Sequence, residues 1–470
     1  MKQYPSIFND VIGPVMIGHS SSHTAASVRI GNVIRQIVGG DVKKIKFSFD
    51  SESSLATTYK SQGSDIGLIA GILGFETYDK RLPHAYKYLE EAKIDCVFEV
   101  KNLGAGHPNA YYIEFTDCQN KPYTLTALSV GGGMFEITNY MGFEVSIDGG
   151  SAVTLDFPGL EVKKLNPVLP VMSQVNPSVP FITAKEISKY AKIHNMSFSE
   201  LAILYESERS GLSSDAVLNK MCDIVDILKK SIETPSDDFV ADRILTNQSH
   251  LIEESNALGG SFSKNIIKYV TRFMDIKTSM GVFVAAPTAG SCGCVPGCAF
   301  AIQKELNLSD EQVTRALLSA GLIGVLIAHH STFAAEVCGC QSECGAGSGM
   351  AAAMTSEILG GSVDTCLAAA SMALQNIMGL ICDPVGNKVE VPCLGKNILA
   401  ALNAIASANM AAAGFDAVIP LDETIDALDR VGKSIPRELR CTGLGGLSVT
   451  DTSKEILQKF EGGGLDANFK

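Results

Sequence analysis

"PGLEVKKLNPVLPVMSQVNPSVP", residues Pro158 to Pro180, carries five prolines and little periodicity. Proline fixes φ and removes a backbone donor, so such a run neither continues a helix nor sits inside a sheet. It reads as a linker, and the chain changes character across it. Upstream, "KIKFSFD" (Lys44 to Asp50), "YYIEF" (Tyr111 to Phe115) and "FEVSID" (Phe143 to Asp148) alternate as half-buried strands do. "TAASVRIGNVIRQIV" (Thr24 to Val38) spaces Val28, Val33, Ile34, Ile37 and Val38 along one helical face. "SSLATTYKSQGSDIGLIAGILGF" predicts a further helix, or two. Downstream, Thr183 with Glu186, Ser197 with Glu200 and Ser309 with Gln312 each fit a helix capping box. Segments rich in alanine, leucine and methionine follow. The expected architecture is multidomain: an α+β domain over 1–157, a linker over 158–180 and an all-helical (all-α) domain over 181–470.

Hydrophobic residues make up 46% of the 470 and charged residues 19%, so a large core is easily built. The formal net charge of −13 argues against nucleic acid, which needs a basic stripe to meet phosphates, and against a polybasic membrane contact. "MKQYPSIFND" has no apolar signal region. The most apolar window, "ALLSAGLIGVLIA" (Ala316 to Ala328), has 13 residues, whereas a membrane span needs about 18. A cytoplasmic enzyme with a small-molecule substrate, and neither nucleic acid nor membrane as partner, is the expectation.

Thirteen cysteines are present, an odd number, and nine of them lie between Cys292 and Cys393, with Cys441 beyond. Clustered thiols in a reducing compartment read as metal-binding or catalytic. "EVCGCQSECGAGSGMAAA" (Glu336 to Ala353) sets Cys338, Cys340 and Cys344 in a glycine-rich loop that leads into a helix. "ICDPVGNKVEVPC" (Ile381 to Cys393) adds two more at a spacing too long for a zinc knuckle. Thiolates hold iron–sulfur clusters, and a cluster with three protein ligands leaves one iron open as a Lewis acid. Spacing alone leaves ordinary buried cysteine as the alternative.

Near the start, "IGPVMIGHSSSHTAASVRIG" (Ile12 to Gly31) crowds Ser20, Ser21, Ser22 and Thr24 at a helix N-terminus. Free amides, hydroxyls and the positive dipole end suit a carboxylate there. His23 is the nearby group able to carry a proton near neutrality. The bland alternative is a serine N-cap beside a surface histidine. "GAGHPNA" (Gly104 to Ala110) places His107 and Asn109 in a loop between strands. In "SVGGGMFEI" (Ser129 to Ile137), Ser129 and the glycine run are expected to bring backbone amides close to a ligand.

Cys340, Cys382 and Cys393, set in "GCQSE" and "CDPVGNKVEVPC" with "APTAGSCG" upstream, closely resemble the iron–sulfur L-serine dehydratases (L-serine ammonia-lyases) in their fused, single-chain form. The resemblance extends through "SLATTYKSQGSD" (Ser54 to Asp65) to "RCTGLGGLS" (Arg440 to Ser448) and covers nearly the whole chain. It implies that Cys340, Cys382 and Cys393 hold a [4Fe–4S] cluster, with Cys338 and Cys344 as neighbours. It implies catalytic roles for His23, Lys60 and Ser22. Substrate contacts are implied for Ser20, Ser21, Ser22, Thr24, Gln62, His107, Asn109 and Ser129. The implied reaction is deamination of L-serine to pyruvate and ammonia, by a homodimer with an amino-acid substrate. The chain departs from the pattern at Gln62, where the family usually has histidine, at His19 in place of proline, and at Lys396 in place of arginine. Some relatives end in a cysteine that plugs the open iron, and the ending "LDANFK" is expected not to. These departures keep L-cysteine desulfuration and L-threonine deamination open as alternatives. A non-catalytic cluster-bearing sensor is the alternative from another class.

Overall fold

The computed structural model describes residues 4–104, 106–174, 177–234, 243–256 and 258–462. Its strands are β1 (Val15–Met16), β2 (Val42–Asp50), β3 (Asp95–Lys101), β4 (Ala110–Asp117), β5 (Pro122–Gly131), β6 (Met134–Tyr140), β7 (Phe143–Ile147), β8 (Val153–Leu155), β9 (Lys163–Leu165) and β10 (Phe283–Val284). Six of them form one mixed sheet in the order β3-β2-β4-β5-β6-β7. Within it β2 and β3 run parallel and the other neighbours antiparallel. Period-two burial makes the sheet one-sided. Tyr111, Ile113 and Phe115 of β4 face inward with Tyr123, Leu125 and Ala127 of β5, in a register that pairs Ile113 with Leu125 and Phe115 with Tyr123.

Helices Ala26–Val38 and Ser64–Ile72 share this core. They meet backbone to backbone: a Cβ on Gly31 would lie 2.7 Å from the Gly71 Cα, so only glycine fits. The helix expected from Thr24 becomes regular at Ala26, after a π-type turn over Ser21–Ala25. The "SSLATTYKSQGSD" region resolves into two helices, Leu55–Thr58 and Ser64–Ile72, hinged at Gly63 with φ +84°.

The second half is helical apart from β10, which pairs with β1 from the other end of the chain. All three capping boxes form at their expected positions. The apolar window lies in helix Asp310–His330, whose 21 residues are enough to cross a membrane by length, but 78% of its apolar stretch is packed inside the helical body. Neighbouring helix Cys344–Ile358 is buried from Cys344 to Ser356, because its glycines and alanines let the surrounding helices close in.

The N-terminal segment belongs to this helical core. Ile7–Val11 packs on helix Asp310–His330, where a Cβ on Gly321 would sit 2.6 Å from the Ile7 side chain. Ser6 Oγ (2.9 Å) and the Ile7 amide (2.8 Å) both donate to the buried Glu206 carboxylate, which pairs with Arg209 at 2.8 Å. The proline-rich stretch is likewise held. Its β9 pairs with β8, and Asn9 donates to the Val171 carbonyl at 2.6 Å while accepting from the Val171 amide at 3.1 Å. The "LDANFK" ending lies outside the described residues.

Candidate active site between the two halves

The π-type turn before helix Ala26–Val38 places four side chains at the seam. Ser20 is its N-cap, and its hydroxyl accepts from the His23 amide. His23 is fully buried. Its Nε2 lies 2.9 Å from Thr58 Oγ1, and the single Thr58 hydroxyl proton is donated to the Ser54 carbonyl at 2.7 Å. Thr58 must therefore accept from the ring, so the proton sits on Nε2 and Nδ1 carries the lone pair. Nδ1 faces Ser20 Oγ at 3.1 Å and Ser22 Oγ at 3.2 Å. Ser22 donates onward to Glu336 Oε1 at 2.9 Å, and that same oxygen is 3.5 Å from Nδ1. Burial lowers the His23 pKa, and Glu336 partly opposes the shift. The result is a neutral imidazole in fixed orientation beside a carboxylate from the other half of the chain.

Four residues after Glu336 the chain reaches a basin of thiols. Cys340 follows Gly339, Cys382 is held by a backbone bridge to Arg440, and Cys393 begins helix Cys393–Ala412. All three are buried. A hydrogen bond from the Cys344 thiol, helped by the Lys396 ammonium, pulls the Cys340 thiol down to about 7 against its burial. Cys382 is hydrogen-bonded to Cys441 and feels Cys340, which together with burial push it up. Burial also pushes Cys393 up, Cys340 adding to the effect and Lys277 and Lys396 opposing it. Lys396 Nζ donates to Asp383 at 2.8 Å and to the Ile381 carbonyl at 2.7 Å, which fixes a cation at the rim. Glu343, hydrogen-bonded by Thr288 Oγ1 at 2.6 Å, is driven up to about 8 by burial and by Cys340. Among the described residues no three His, Cys, Asp or Glu side chains converge on a single ion position.

The two clusters are joined across the seam. Gln62 Nε2 lies 3.4 Å from Cys441 Sγ, Ser54 Oγ donates to the Cys441 carbonyl at 2.7 Å, and the Ala289 amide donates to Ser21 Oγ at 3.2 Å. Ser129 Oγ donates to the Ser22 carbonyl at 2.7 Å, and its amide donates to the Asn109 carbonyl at 3.0 Å. Asn109 is 1% exposed, yet neither atom of its side-chain amide has a partner within the protein, and the same holds for Glu336 Oε2. His107, lowered by burial, feels Glu336 and accepts from the Asn109 amide at Nδ1. Buried polar groups are seldom left unpaired, so these atoms point to a ligand-sized polar position.

The structure thus gathers Ser20, Ser21, Ser22, His23, Gln62, His107, Asn109 and Ser129 with the three cysteines. Thr24 is adjacent but engaged, its hydroxyl donated to the Gln62 carbonyl at 2.9 Å. Lys60 is not brought in: it is exposed, with its ammonium 5.9 Å from the Tyr59 ring centre. The turn between the two short helices rotates Lys60 outward where it carries Gln62 inward. The glycine run is closely packed: a Cβ on Gly131 would meet the Ala334 amide nitrogen at 2.7 Å, and one on Gly133 would meet Pro14 at 3.1 Å. Cys338 turns toward Asp429, whereas Cys344 and Cys441 join the basin. Sequence reasoning missed Thr58, Glu336, Glu343 and Lys277. The two glutamates flank the cysteine loop itself, and Lys277 continues an apolar helical stripe, which is where a signal was available.

Residues 193–448 match the family model described as serine dehydratase alpha chain. The probable L-serine dehydratase alpha chain of Bacillus subtilis (strain 168) is 34% identical over 290 residues, 61% of this chain and 97% of that protein. The probable beta chain from the same organism is 42% identical over 153 residues, 33% of this chain and 68% of that protein. L-serine dehydratase 1 of Escherichia coli (strain K12) is 28% identical over 478 residues, 93% of this chain and 97% of that protein.

Proposed function

The chain belongs to the L-serine dehydratase family and is an ammonia-lyase, and from that premise we propose that it deaminates L-serine to pyruvate and ammonia with an iron–sulfur cluster. The thiol basin fits such a group. Its three candidate ligands are thiols from separate, backbone-anchored segments that influence one another's charge. Cys340, drawn down to about 7, is ready to serve as a thiolate. When bound to Cys340, Cys382 and Cys393, a [4Fe–4S] cluster supplies Lewis-acid assistance to the departing hydroxyl.

The chain's own residues handle the proton and the orientation. Ser20, Ser22 and the unpartnered Asn109 amide offer hydrogen bonds to the polar ends of an amino acid. His23 takes up a proton at Nδ1: the Ser22 hydroxyl turns its own proton from Glu336 to Nδ1 as its oxygen receives the α-proton. The imidazolium so formed faces Glu336 Oε1, which offsets its charge as it develops. Thr58 keeps the ring from turning. The aminoacrylate left after loss of hydroxide tautomerises and hydrolyses in water.

The observation that carries this reading is the neutral His23 imidazole, pinned by Thr58 on one side and open to Ser22 and Glu336 on the other, at the edge of the thiol basin. Anaerobically reconstituted protein is expected to release pyruvate from L-serine in a lactate dehydrogenase-coupled assay. Protein that holds iron and sulfide but yields no keto acid from L-serine overturns the assignment. The same assay with L-threonine and L-cysteine separates the alternatives raised by Gln62. Ligand binding without turnover of any of the three would instead indicate a sensor.

A further inference from the structure

Along helix Gly260–Thr278, Ile266, Val270, Phe273 and Met274 form the buried stripe, and Lys277 falls on that stripe. The Lys277 side chain is fully buried, and its ammonium donates to the Val389 carbonyl. Val389 packs in one small cluster with Cys292, Cys393, Ala25 and Ala289. That position is the wall of the thiol basin, beneath the serine turn. The charge of Lys277 reaches Cys393, Cys292 and Glu343 on the basin side and His19 on the turn side.

An ammonium has three donors, and a buried cation is costly unless an anion completes it. Among the described residues Lys277 has one hydrogen bond, to a backbone carbonyl, and no carboxylate at ion-pair distance. The acidic groups near it lie outside ion-pair distance. Glu343 accepts from Thr288 Oγ1 at 2.6 Å. Glu390 accepts from the amides of Ile244 and Leu245 at 2.9 and 3.0 Å through Oε2, and its Oε1 is buried without a hydrogen-bond partner. Across the site stands the complementary feature, the buried and unpartnered Glu336 Oε2. Glu343 feels the charge of both Lys277 and Glu336.

We propose that Lys277 receives the α-carboxylate of the substrate, and that this buried cation, opposed by Glu336 Oε2 for the ammonium, makes the site selective for free α-amino acids. The proposal rests on the lyase reading above and adds the residue that reads the carboxylate. Charge-assisted contacts with carboxylates are the strong ones, and burial removes the competing water. The same arrangement rejects amines and amides that lack the carboxylate, because they would leave the cation unpaired.

The test uses the full-length, anaerobically reconstituted protein with Lys277→Met and Lys277→Arg. L-serine and L-serinamide, which keeps the hydroxyl and ammonium but has no carboxylate, are compared by equilibrium dialysis, with iron and sulfide measured on every sample. Wild type is expected to prefer L-serine. Lys277→Met is expected to lose that preference and to raise KM for L-serine roughly 10- to 100-fold with iron content intact, and Lys277→Arg to recover part of it. A preference for L-serine that survives in Lys277→Met, or no preference in wild type, overturns the proposal. Loss of iron from Lys277→Met with both ligands weakened equally also overturns it, because the lysine would then serve the thiol basin alone. Wild type that binds L-serine selectively but makes no pyruvate sinks the catalytic reading and leaves the Lys277 assignment standing.

Discussion

Around His23 nearly every polar atom has a named partner, whereas around Cys340 the sulfur atoms answer chiefly to one another and to lysines. The first wall is assembled from hydroxyls: Thr58 fixes one ring nitrogen, Ser20 and Ser22 line the other, and Ser129 ties the turn to the sheet. Glu336 Oε2 and the Asn109 amide are the exceptions beside it. In the second wall, Cys340 leans on Cys344 and Cys382 on Cys441, with Lys396 and Lys277 supplying positive charge. Thiols are weak hydrogen-bonding groups, so such contacts fix little by themselves. The contrast separates a wall held by hydroxyl hydrogen bonds from one held by weaker sulfur contacts.

The sharpest way to break that contrast is at Cys340. Cys340→Ser is expected to abolish pyruvate formation and to remove iron and the visible absorbance of the reconstituted protein. Cys338→Ser, two residues away but turned toward Asp429, is expected to keep both. If Cys340→Ser retained its iron and its rate, the basin would be ordinary packed core, and the difference between the two walls would dissolve.

On the other wall the effect should be large but of a different kind. His23→Asn is expected to lower kcat by about 10²- to 10⁴-fold, the usual worth of a positioned proton carrier, with iron content unchanged. The pH profile sharpens the assignment. Burial already holds His23 below its ordinary value of 6.5, and Glu336 is the group that raises it. Glu336→Gln keeps an acceptor for Ser22 but removes the charge. His23 should then fall further, moving the acid limb of kcat to lower pH while the plateau drops. An acid limb that stayed in place would mean that His23 is not the titrating base.

Much of the scaffold was legible because its signals are local. Alternation marked β2, β4 and β7, and each capping box needed only four consecutive residues to be recognised. A dense local pattern marked the serine turn, whereas resemblance rather than spacing singled out Cys340, Cys382 and Cys393 among the cysteines. What joins the pieces was not legible. Glu336 lies 313 residues after His23, and contacts such as the packing of Gly131 against Ala334 bring its loop to the sheet. Thr58 acts through a single hydroxyl that no pattern marks. The proline run illustrates the converse. Its composition marks a connection between halves, but Asn9 pins it at Val171, a contact between segments 162 residues apart.

The smallest expected effect concerns Lys60, which lies two residues from buried Gln62 in the same motif and yet on the opposite side of the comparison. Lys60 is exposed and rests its ammonium near the Tyr59 ring, whereas Gln62 is 1% exposed and contacts Cys441. A cation in water next to a half-buried ring contributes little to the fold, and no hydrogen bond joins it to the His23 cage. Lys60→Met should therefore leave kcat and KM at their wild-type values and change stability by no more than about 0.5 kcal/mol. The informative failure is kinetic. A large loss of kcat with KM and thermal midpoint unchanged would mean that the turn between Leu55–Thr58 and Ser64–Ile72 rotates during turnover and carries the ammonium to the reacting atoms. Gly63, left-handed and packed so that a Cβ would sit 2.6 Å from Thr24 Oγ1, holds that turn against the serine helix. Rotation would have to break this contact, and for that reason the static placement is expected to hold.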